Sequence, residues 1–288
     1  MVKRFPFKRT NIKLVAMRIT ALLCLMVLGL SSCEWGSAPK KDDHPIFKDT
    51  LVYSYKTIHE RAADCGDKPD SACTVVKIKY PEFKGQTALN DTVESRLINL
   101  FMLSEKPDTS LKDLTQNFLI AYSNFKKSDT RTKMFFELDT YAKVILQDSA
   151  LVSLECGGYM FQGGAHGASF TGFINWNPKA NKEIQLKDIL VDGYQTQLTR
   201  IAETIFRKDE KLADTASLAP NYFFKDNKFA LNENYAITPI GLRFMYNQYE
   251  IKPYAAGKTE LFIPYTRIKT LLRPNSVAAQ FIIKNAGI

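Results

Sequence analysis

Hydrophobic and polar residues alternate along several stretches of the chain, and this period of two is typical of strands with one buried face. The clearest example is Val76-Lys77-Ile78-Lys79-Tyr80. Where such stretches are also rich in β-branched and aromatic residues, we predict strands. They cover residues 51–58, 74–80, 134–139, 141–147, 151–156, 168–176, 235–238, 241–246 and 260–263.

Other segments repeat apolar residues at spacings of three and four, which is the period of a helix with one buried face. Residues able to cap a helix precede these segments: Asn90 or Asp91, Asp108 or Ser110, and Asp188 or Asp192. A last short helix is predicted over residues 265–272. Because strands and helices come in blocks, we predict an α+β fold with two adjoining subdomains of mainly antiparallel strands packed with helices.

The N-terminal pattern differs from the rest of the chain. A basic segment without acidic residues precedes an apolar run over residues 19–30, which is shorter than the about 20 residues that span a bilayer. The run closes with Leu30-Ser31-Ser32-Cys33, which resembles a bacterial lipoprotein signal. We therefore predict a signal peptide over residues 1–32, a lipid on Cys33 and an extracytoplasmic, membrane-anchored location in the cell envelope. The alternatives are an ordinary cleaved signal or an uncleaved anchor.

The net charge is much smaller when the predicted signal segment is excluded. The whole chain carries 39 basic and 30 acidic residues, but six of the basic residues precede Cys33, so the remainder has a net charge of only +3. That charge, without a basic run interleaved with aromatics, excludes nucleic acid as the main partner. We predict a flexible tether over 33–48, an N-terminal subdomain over 49–170, a C-terminal subdomain over 171–275 and a tail over 276–288.

The cysteines suggest a bridge rather than a metal site. Cys65 and Cys73 flank a turn-rich segment, so they are disulfide candidates in an oxidising compartment, with two reduced thiols as the alternative. Cys156 has no obvious partner. The cysteine spacing and the scattered histidines argue against zinc, and we predict neither a metal nor another cofactor.

Glycine is concentrated in one hairpin, since six of the 14 glycines lie between Gly157 and Gly172. The densest piece, Gly163-Gly164-Ala165-His166-Gly167, lacks the residues of a phosphate-binding loop and predicts a sharp turn between strands. It also resembles the signature of a two-part extracytoplasmic module of unknown function. Segments 78–83, 173–190 and 248–265 match the same module in order, and the resemblance spans roughly residues 50–273. Asn181 stands where the family hairpin usually has glycine, and asparagine tolerates the left-handed conformation.

The resemblance implies a cell-envelope role. The module forms the outer region of lysozyme-sensing anti-sigma factors, and its N-terminal part is also attached to peptidoglycan deacetylases. Lysozyme, peptidoglycan or another envelope protein is therefore the expected partner. Neither activity carries over, because the chain shows no sigma-binding domain and only three scattered histidines.

Candidate binding residues follow from the matched motifs. His166 is the only histidine inside a motif, and Tyr249, Glu250, Tyr254 and Tyr265 form an aromatic segment that suits a sugar or a protein surface. The alternative is that His166 pins its turn and the tyrosines pack the sheet. Glu137, Asp139 and Glu155 are interpreted as strand-surface charges rather than as a glycosidase pair.

Three functions stay open at this point. The first is a non-catalytic recognition module on a lipid anchor, with no catalytic residues assigned. The second is an envelope hydrolase that uses Cys156 as nucleophile and His166 as base. The third is a passive structural factor of the envelope.

Overall fold

The structure is a computed structural model that describes residues 51–101 and 108–285, all of which belong to one compact unit. The predicted signal peptide, the lipid on Cys33 and the predicted tether lie outside the described residues. Among the helices described, none combines the length and apolar character needed to cross a bilayer.

The first half of the fold is a six-stranded sheet in the order β1-β2-β3-β4-β5-β6. Neighbouring strands run antiparallel except β2 and β3, which run parallel because two helices, α1 and α2, separate them in the chain. The strands are Tyr53–Arg61, Val75–Phe83, Glu137–Gln147, Val152–Phe161, Ala168–Asn177 and Lys182–Glu183. The helices are Thr87–Ile98 (α1) and Leu111–Ser128 (α2).

Both helices bury their apolar stripes in the same core as the sheet, with Leu89, Leu97 and Phe118 among its fully buried residues. The Ser110 hydroxyl accepts a hydrogen bond from the Asp113 N–H at 3.1 Å, which confirms the predicted cap of α2. The predicted start of α1 at Asn90 or Asp91 is wrong, since the helix begins at Thr87. The Asn90 amide instead bonds both backbone groups of Phe83 and so ties α1 to the end of β2.

The second half is a three-stranded antiparallel sheet in the order β7-β8-β9, which shares a core with four helices. Its strands are Tyr235–Ile237, Gly241–Tyr246 and Thr259–Pro264, and its helices are Leu186–Ile189 (α3), Tyr194–Asp209 (α4), Tyr265–Ile268 (α5) and Ala279–Asn285 (α6). Short 3₁₀ turns cover Asp70–Ala72, Lys225–Asn227, Tyr254–Ala256 and Lys269–Leu271. The predicted α+β class is confirmed.

Three features differ from the sequence predictions. The stretches 134–139 and 141–147 form one strand, Glu137–Gln147, with a register shift between Val144 and Leu146 instead of a turn. The predicted tail contains α6, whose Phe281 is buried in the second core. The predicted boundary between residues 170 and 171 falls inside β5.

The two sheets meet through a buried asparagine. The Asn175 Oδ1 on β5 accepts hydrogen bonds from the Ile237 N–H at 2.8 Å and the Ser153 hydroxyl at 3.0 Å, while its Nδ2 donates to the Tyr235 carbonyl at 2.8 Å. Side-chain hydrogen bonds that replace absent ladder bonds fix the position of one sheet against the other. The residues near this joint therefore have a defined geometry.

Candidate functional site

His166, Tyr249 and Tyr254 form an exposed group that we call the aromatic shelf. The imidazole stacks on the Tyr254 ring with 3.8 Å between centroids and 19° between planes, and the Tyr249 ring lies 5.5 Å from the Tyr254 ring. The structure thus brings together three of the five binding candidates that the sequence suggested. They come from the hairpin between β4 and β5 and from the segment between β8 and β9.

Hydrogen bonds fix the orientation of the shelf. The His166 Nδ1 lies 3.1 Å from the Gly167 carbonyl, and a carbonyl can only accept, so the proton is on Nδ1. Nε2 then accepts from the Tyr249 hydroxyl at 3.4 Å, and the Tyr254 hydroxyl donates to the same Gly167 carbonyl at 3.0 Å. The histidine therefore both pins its turn and presents its ring.

The hairpin reaches this position because of its glycines. Gly163 and Gly164 have φ angles of +94° and +92°, which residues with a side chain rarely adopt. A Cβ at Gly167 would collide with the Tyr159 ring. Asn181 has a φ of +50°, so it adopts the left-handed conformation that asparagine was expected to tolerate at this turn.

Tyr249 is held in an unfavourable backbone conformation at the exposed end of the shelf. Its φ is +65°, although its side chain is bulky and the residue is 58% exposed. A non-glycine residue in this region costs roughly 1–2 kcal/mol, and such strain persists where the surroundings impose it. Backbone outliers of this kind cluster at functional sites, which makes Tyr249 a candidate contact residue.

Glu250 imposes this turn rather than facing a partner. One carboxylate oxygen accepts from the Asn247 N–H at 2.8 Å, and the other accepts from the Asn232 amide at 2.6 Å. Gln248 adds a bond from the Ser169 N–H to its side-chain oxygen at 3.3 Å. Glu250 is therefore a positioning residue of the shelf.

Tyr265 does not join the shelf. It is buried in the second core, stacks on Phe281 and donates its hydroxyl hydrogen to the Thr238 carbonyl at 2.9 Å. Burial raises the pKa of Tyr265, so the hydroxyl stays protonated at any ordinary pH. Its role is packing.

Two clefts flank the turn that carries Tyr249. A small one of about 240 Å³ lies beside the shelf and includes Gln162, Ser169 and Gln248. A larger one of about 650 Å³, which we call the junction cleft, lies where α1, β6 and the second sheet approach each other. Its lining includes Arg96, Phe170, Glu183, Tyr194, Glu233 and Asn234.

The junction cleft was not predicted from the sequence. Its Arg96 and Glu183 form an ion pair at 3.0 Å across 87 positions of the chain, so no local pattern indicates it. Lone charged residues of this kind are ordinary surface residues when they are read one at a time. Segment 182–190, part of which lines the cleft, was singled out in the sequence only for its resemblance to the two-part module and was not assigned to ligand binding.

The structure overturns the hydrolase alternative. Cys156 lies in the middle of β4 and is fully buried, and burial raises the pKa of its thiol to about 12. From Cys156 to the end of β4 at Phe161 the strand spans five residues, which at about 3.3 Å per residue is roughly 16 Å. His166 lies beyond that end, in the hairpin that leads to β5. The thiol therefore has neither the ionisation nor the base that a nucleophile requires.

Cys65 and Cys73 form a disulfide with 5.3 Å between their Cα atoms. Beside it, the Asp70 carboxylate contacts Lys77 at 2.8 Å, His59 at 2.9 Å and Arg61 at 3.2 Å. The hydrogen bond from Lys77 is the main cause that lowers the pKa of Asp70, and the bond from His59 adds to it. This cluster ties the disulfide loop to β1 and β2.

The carboxylates on β3 and β4 do not form a glycosidase pair. Glu155 accepts from Lys143 at 2.8 Å, from Arg243 at 2.9 Å and from the Tyr141 hydroxyl at 2.8 Å. Burial alone would raise the pKa of Glu155, but the bonds from Lys143 and Tyr141 outweigh it and the pKa lies below its ordinary value. Through these three partners, the Glu155 carboxylate on β4 is tied to Arg243 on β8 and so links the two sheets. In the part of the chain that the structure describes, no group of acidic, histidine and cysteine side chains is arranged to hold a metal.

Comparison with known families agrees with this architecture. Residues 68–169 match the family model described as "Deacetylase PdaC", and residues 187–266 match the model described as "Protein of unknown function (DUF3298)". The junction cleft and the shelf take residues from both matched segments or from their borders.

Two solved structures share the fold. One is a crystal structure of a DUF3298 family protein from Pseudomonas aeruginosa, with 26% identity, a TM-score of 0.63, and coverage of 79% of this chain and 96% of that one. The other, a DUF3298 family member from Bacteroides fragilis, has 21% identity, a TM-score of 0.62, and coverage of 81% and 98%. A comparison with curated proteins finds no match.

Proposed function

Since the chain carries a PdaC domain followed by a DUF3298 domain, we propose that this protein is a lipid-anchored, non-catalytic recognition module of the bacterial cell envelope. We propose further that the aromatic shelf is its contact surface and that lysozyme is its partner. The observation that carries this proposal is Tyr249, an exposed aromatic residue held at a φ of +65° by its neighbours.

The chemistry of the shelf suits a protein surface. Tyrosine is enriched among the residues that dominate binding energy, because its ring gives a large contact area and loses few rotamers. The hydrogen bonds of His166 and Tyr254 hold the shelf in one geometry before a partner arrives. Less conformational entropy is then lost on binding.

The charge of the chain predicts how this binding responds to salt. Lysozyme is strongly basic, and a net charge of +3 outside the signal segment gives no overall attraction. Aromatic burial, in contrast, depends weakly on ionic strength. Binding through the shelf should therefore persist at physiological salt.

The test is calorimetric titration of lysozyme into residues 34–288, which include the whole described unit with both of its cores. Tyr249→Asn removes the ring but keeps a residue that tolerates positive φ, so the turn survives. Loss of a central aromatic contact costs about 2 kcal/mol, which is roughly a thirtyfold weaker Kd.

The matched control is Tyr55→Thr, which removes another exposed tyrosine, on β1 and away from the shelf. It should leave the affinity unchanged. Equal affinities of wild type and Tyr249→Asn would rule out the shelf as the contact surface. The absence of heat with the folded wild-type protein, at low and at physiological salt, would remove lysozyme as partner and favour the passive structural role.

A further inference from the structure

The junction cleft is large enough for a ligand of its own. Its volume of about 650 Å³ falls within the roughly 300–1,000 Å³ that is usual for ligand pockets. Arg96 on α1 and Phe170 on β5 come from the first half of the fold, whereas Tyr194 and Asn234 come from the second half. A molecule bound there would contact both halves at once.

The charged residues that line the junction cleft limit the chemical class of its ligand. Two cations, Arg96 and Lys187, face three carboxylates, those of Glu183, Glu233 and Glu250. Arg96 and Glu183 neutralise each other at 3.0 Å, and Glu250 is already engaged by two donors. The donors on Glu250 are uncharged, so the lining keeps a net charge of −1, which disfavours a phosphate or another anion. Among the described residues, no group of side chains is arranged to hold a metal ion.

The remaining groups are uncharged and of two kinds. Phe170 and Tyr194 supply half-buried ring surface, and Gln185 supplies an amide. Asn232 and Asn234 also line the cleft, but they already donate their amide hydrogens to groups of the protein. In the part of the chain that the structure describes, the Tyr194 hydroxyl has no hydrogen-bond partner. Burial, followed by the charge of Glu233, raises the pKa of Tyr194, so this hydroxyl remains a donor at neutral pH.

From these observations we infer that the junction cleft binds a short neutral oligosaccharide. Such a molecule combines flat apolar ring faces, which contact aromatic side chains, with hydroxyls that exchange hydrogen bonds with amides, carboxylates and a phenol. An apolar ligand would leave the Tyr194 hydroxyl without a partner. The junction cleft and the shelf border the same turn over residues 247–250 but are distinct sites, and binding in the cleft does not depend on lysozyme as partner.

The probe is triacetylchitotriose, an uncharged trisaccharide, titrated into ¹⁵N-labelled residues 34–288 and followed by amide chemical shifts. Saturable shifts are expected at residues 183–187, 194 and 232–235, which line the cleft. Tyr194→Phe removes one hydroxyl and Gln185→Ala one amide, and each should weaken the Kd about five- to tenfold, as expected for the loss of a single hydrogen bond.

Two controls separate the cleft from its surroundings. Gln195→Ala changes an exposed glutamine on the same helix as Tyr194 but outside the cleft lining, and it should leave the Kd unchanged. Tyr249→Asn should also bind the trisaccharide normally, so failure of the lysozyme proposal and failure of this one are distinguishable.

Three results would overturn the inference. The first is the absence of saturable shifts, and the second is shifts centred on His166 and Tyr249 instead of the cleft. The third is tighter binding of the fully deacetylated, cationic trisaccharide, which would assign the cleft to a cation. Equal binding of cellotriose, which lacks acetamido groups, would support the neutral saccharide class and show that the hydroxyls are recognised.

Discussion

Replacing Asn175 with alanine should weaken the joint between the two sheets more than any surface substitution. The side chain is 3% exposed and makes three hydrogen bonds, two of them to backbone groups of β7. Alanine would leave the Ile237 N–H and the Tyr235 carbonyl buried without their partner. The Ser153 hydroxyl would keep only its 3.3 Å bond to the Ile237 carbonyl.

The magnitude follows from those two backbone groups. Each buried polar group that loses its partner costs about 1–3 kcal/mol. At about 1.5 kcal/mol for each of the two groups, we expect a loss of about 3 kcal/mol. Domains are typically stable by about 5–15 kcal/mol, so the variant should fold but unfold at clearly lower urea concentration.

The assay is urea unfolding of residues 34–288, followed by the fluorescence of Trp176, which is buried next to Asn175 on β5. The control is Asn221→Ala, an exposed loop position, where we expect a change below about 0.5 kcal/mol. A loss below about 1 kcal/mol for Asn175→Ala would refute the reasoning, because the joint would then not depend on these bonds. A transition that splits in two would show that the halves unfold separately once the joint is broken.

Two further predictions concern the cysteines and Asp70. Cys156 should not react with a thiol reagent in folded residues 34–288 at pH 8, since the side chain is buried and burial raises its pKa to about 12. After unfolding in urea, one reactive thiol per chain should appear. Rapid labelling of the native protein would contradict the burial, and three thiols after unfolding would contradict the disulfide. Lys77 and His59 lower the pKa of Asp70 below 3.8 in the folded state, so the stabilisation is complete above the unfolded pKa and is lost as pH falls through the folded one. Urea unfolding at pH 2 to 6 should therefore show a smaller acid loss in Asp70→Asn than in wild type, whereas Asp67→Asn, at an exposed carboxylate of the same loop, should retain the wild-type slope.

The sequence predicted correctly those features that depend on residues close to one another in the chain. Ser110 caps its helix as expected, because the cap bond reaches only three residues along the chain. Asn90 also has a capping side chain, but it bonds Phe83 seven residues back and lies inside the helix. Separate strands were predicted on the two sides of Thr140, whereas pairing with β2 and β4 keeps the strand continuous. Tertiary pairing overrode the local preference at that point.

For the candidate site, too, the sequence indicated residues in local motifs but not residues that only the fold brings together. His166, Tyr249 and Tyr254 were predicted as candidates because they lie in dense motifs, and the structure brings them together. Tyr265 lies in the same segment of sequence, but its side chain points into the core, and the spacing of aromatic residues does not specify which ring is buried. The junction cleft gathers residues from position 96 to position 250, so only the fold brings them together.

The turn over residues 247–250 gives the two surfaces a common wall. Asn247 and Glu250 line the junction cleft, whereas Gln248 and Tyr249, between them, line the small cleft at the shelf. Glu250 holds the Asn247 N–H on the cleft side, and the resulting turn forces the positive φ of Tyr249 on the shelf side. Hydrogen bonds from Thr171 and Ser169 on β5 fix the same turn to the first sheet. The strain at Tyr249 is therefore maintained by bonds that face the cleft, and a change in the position of Glu250 would be transmitted to the shelf through a single four-residue turn.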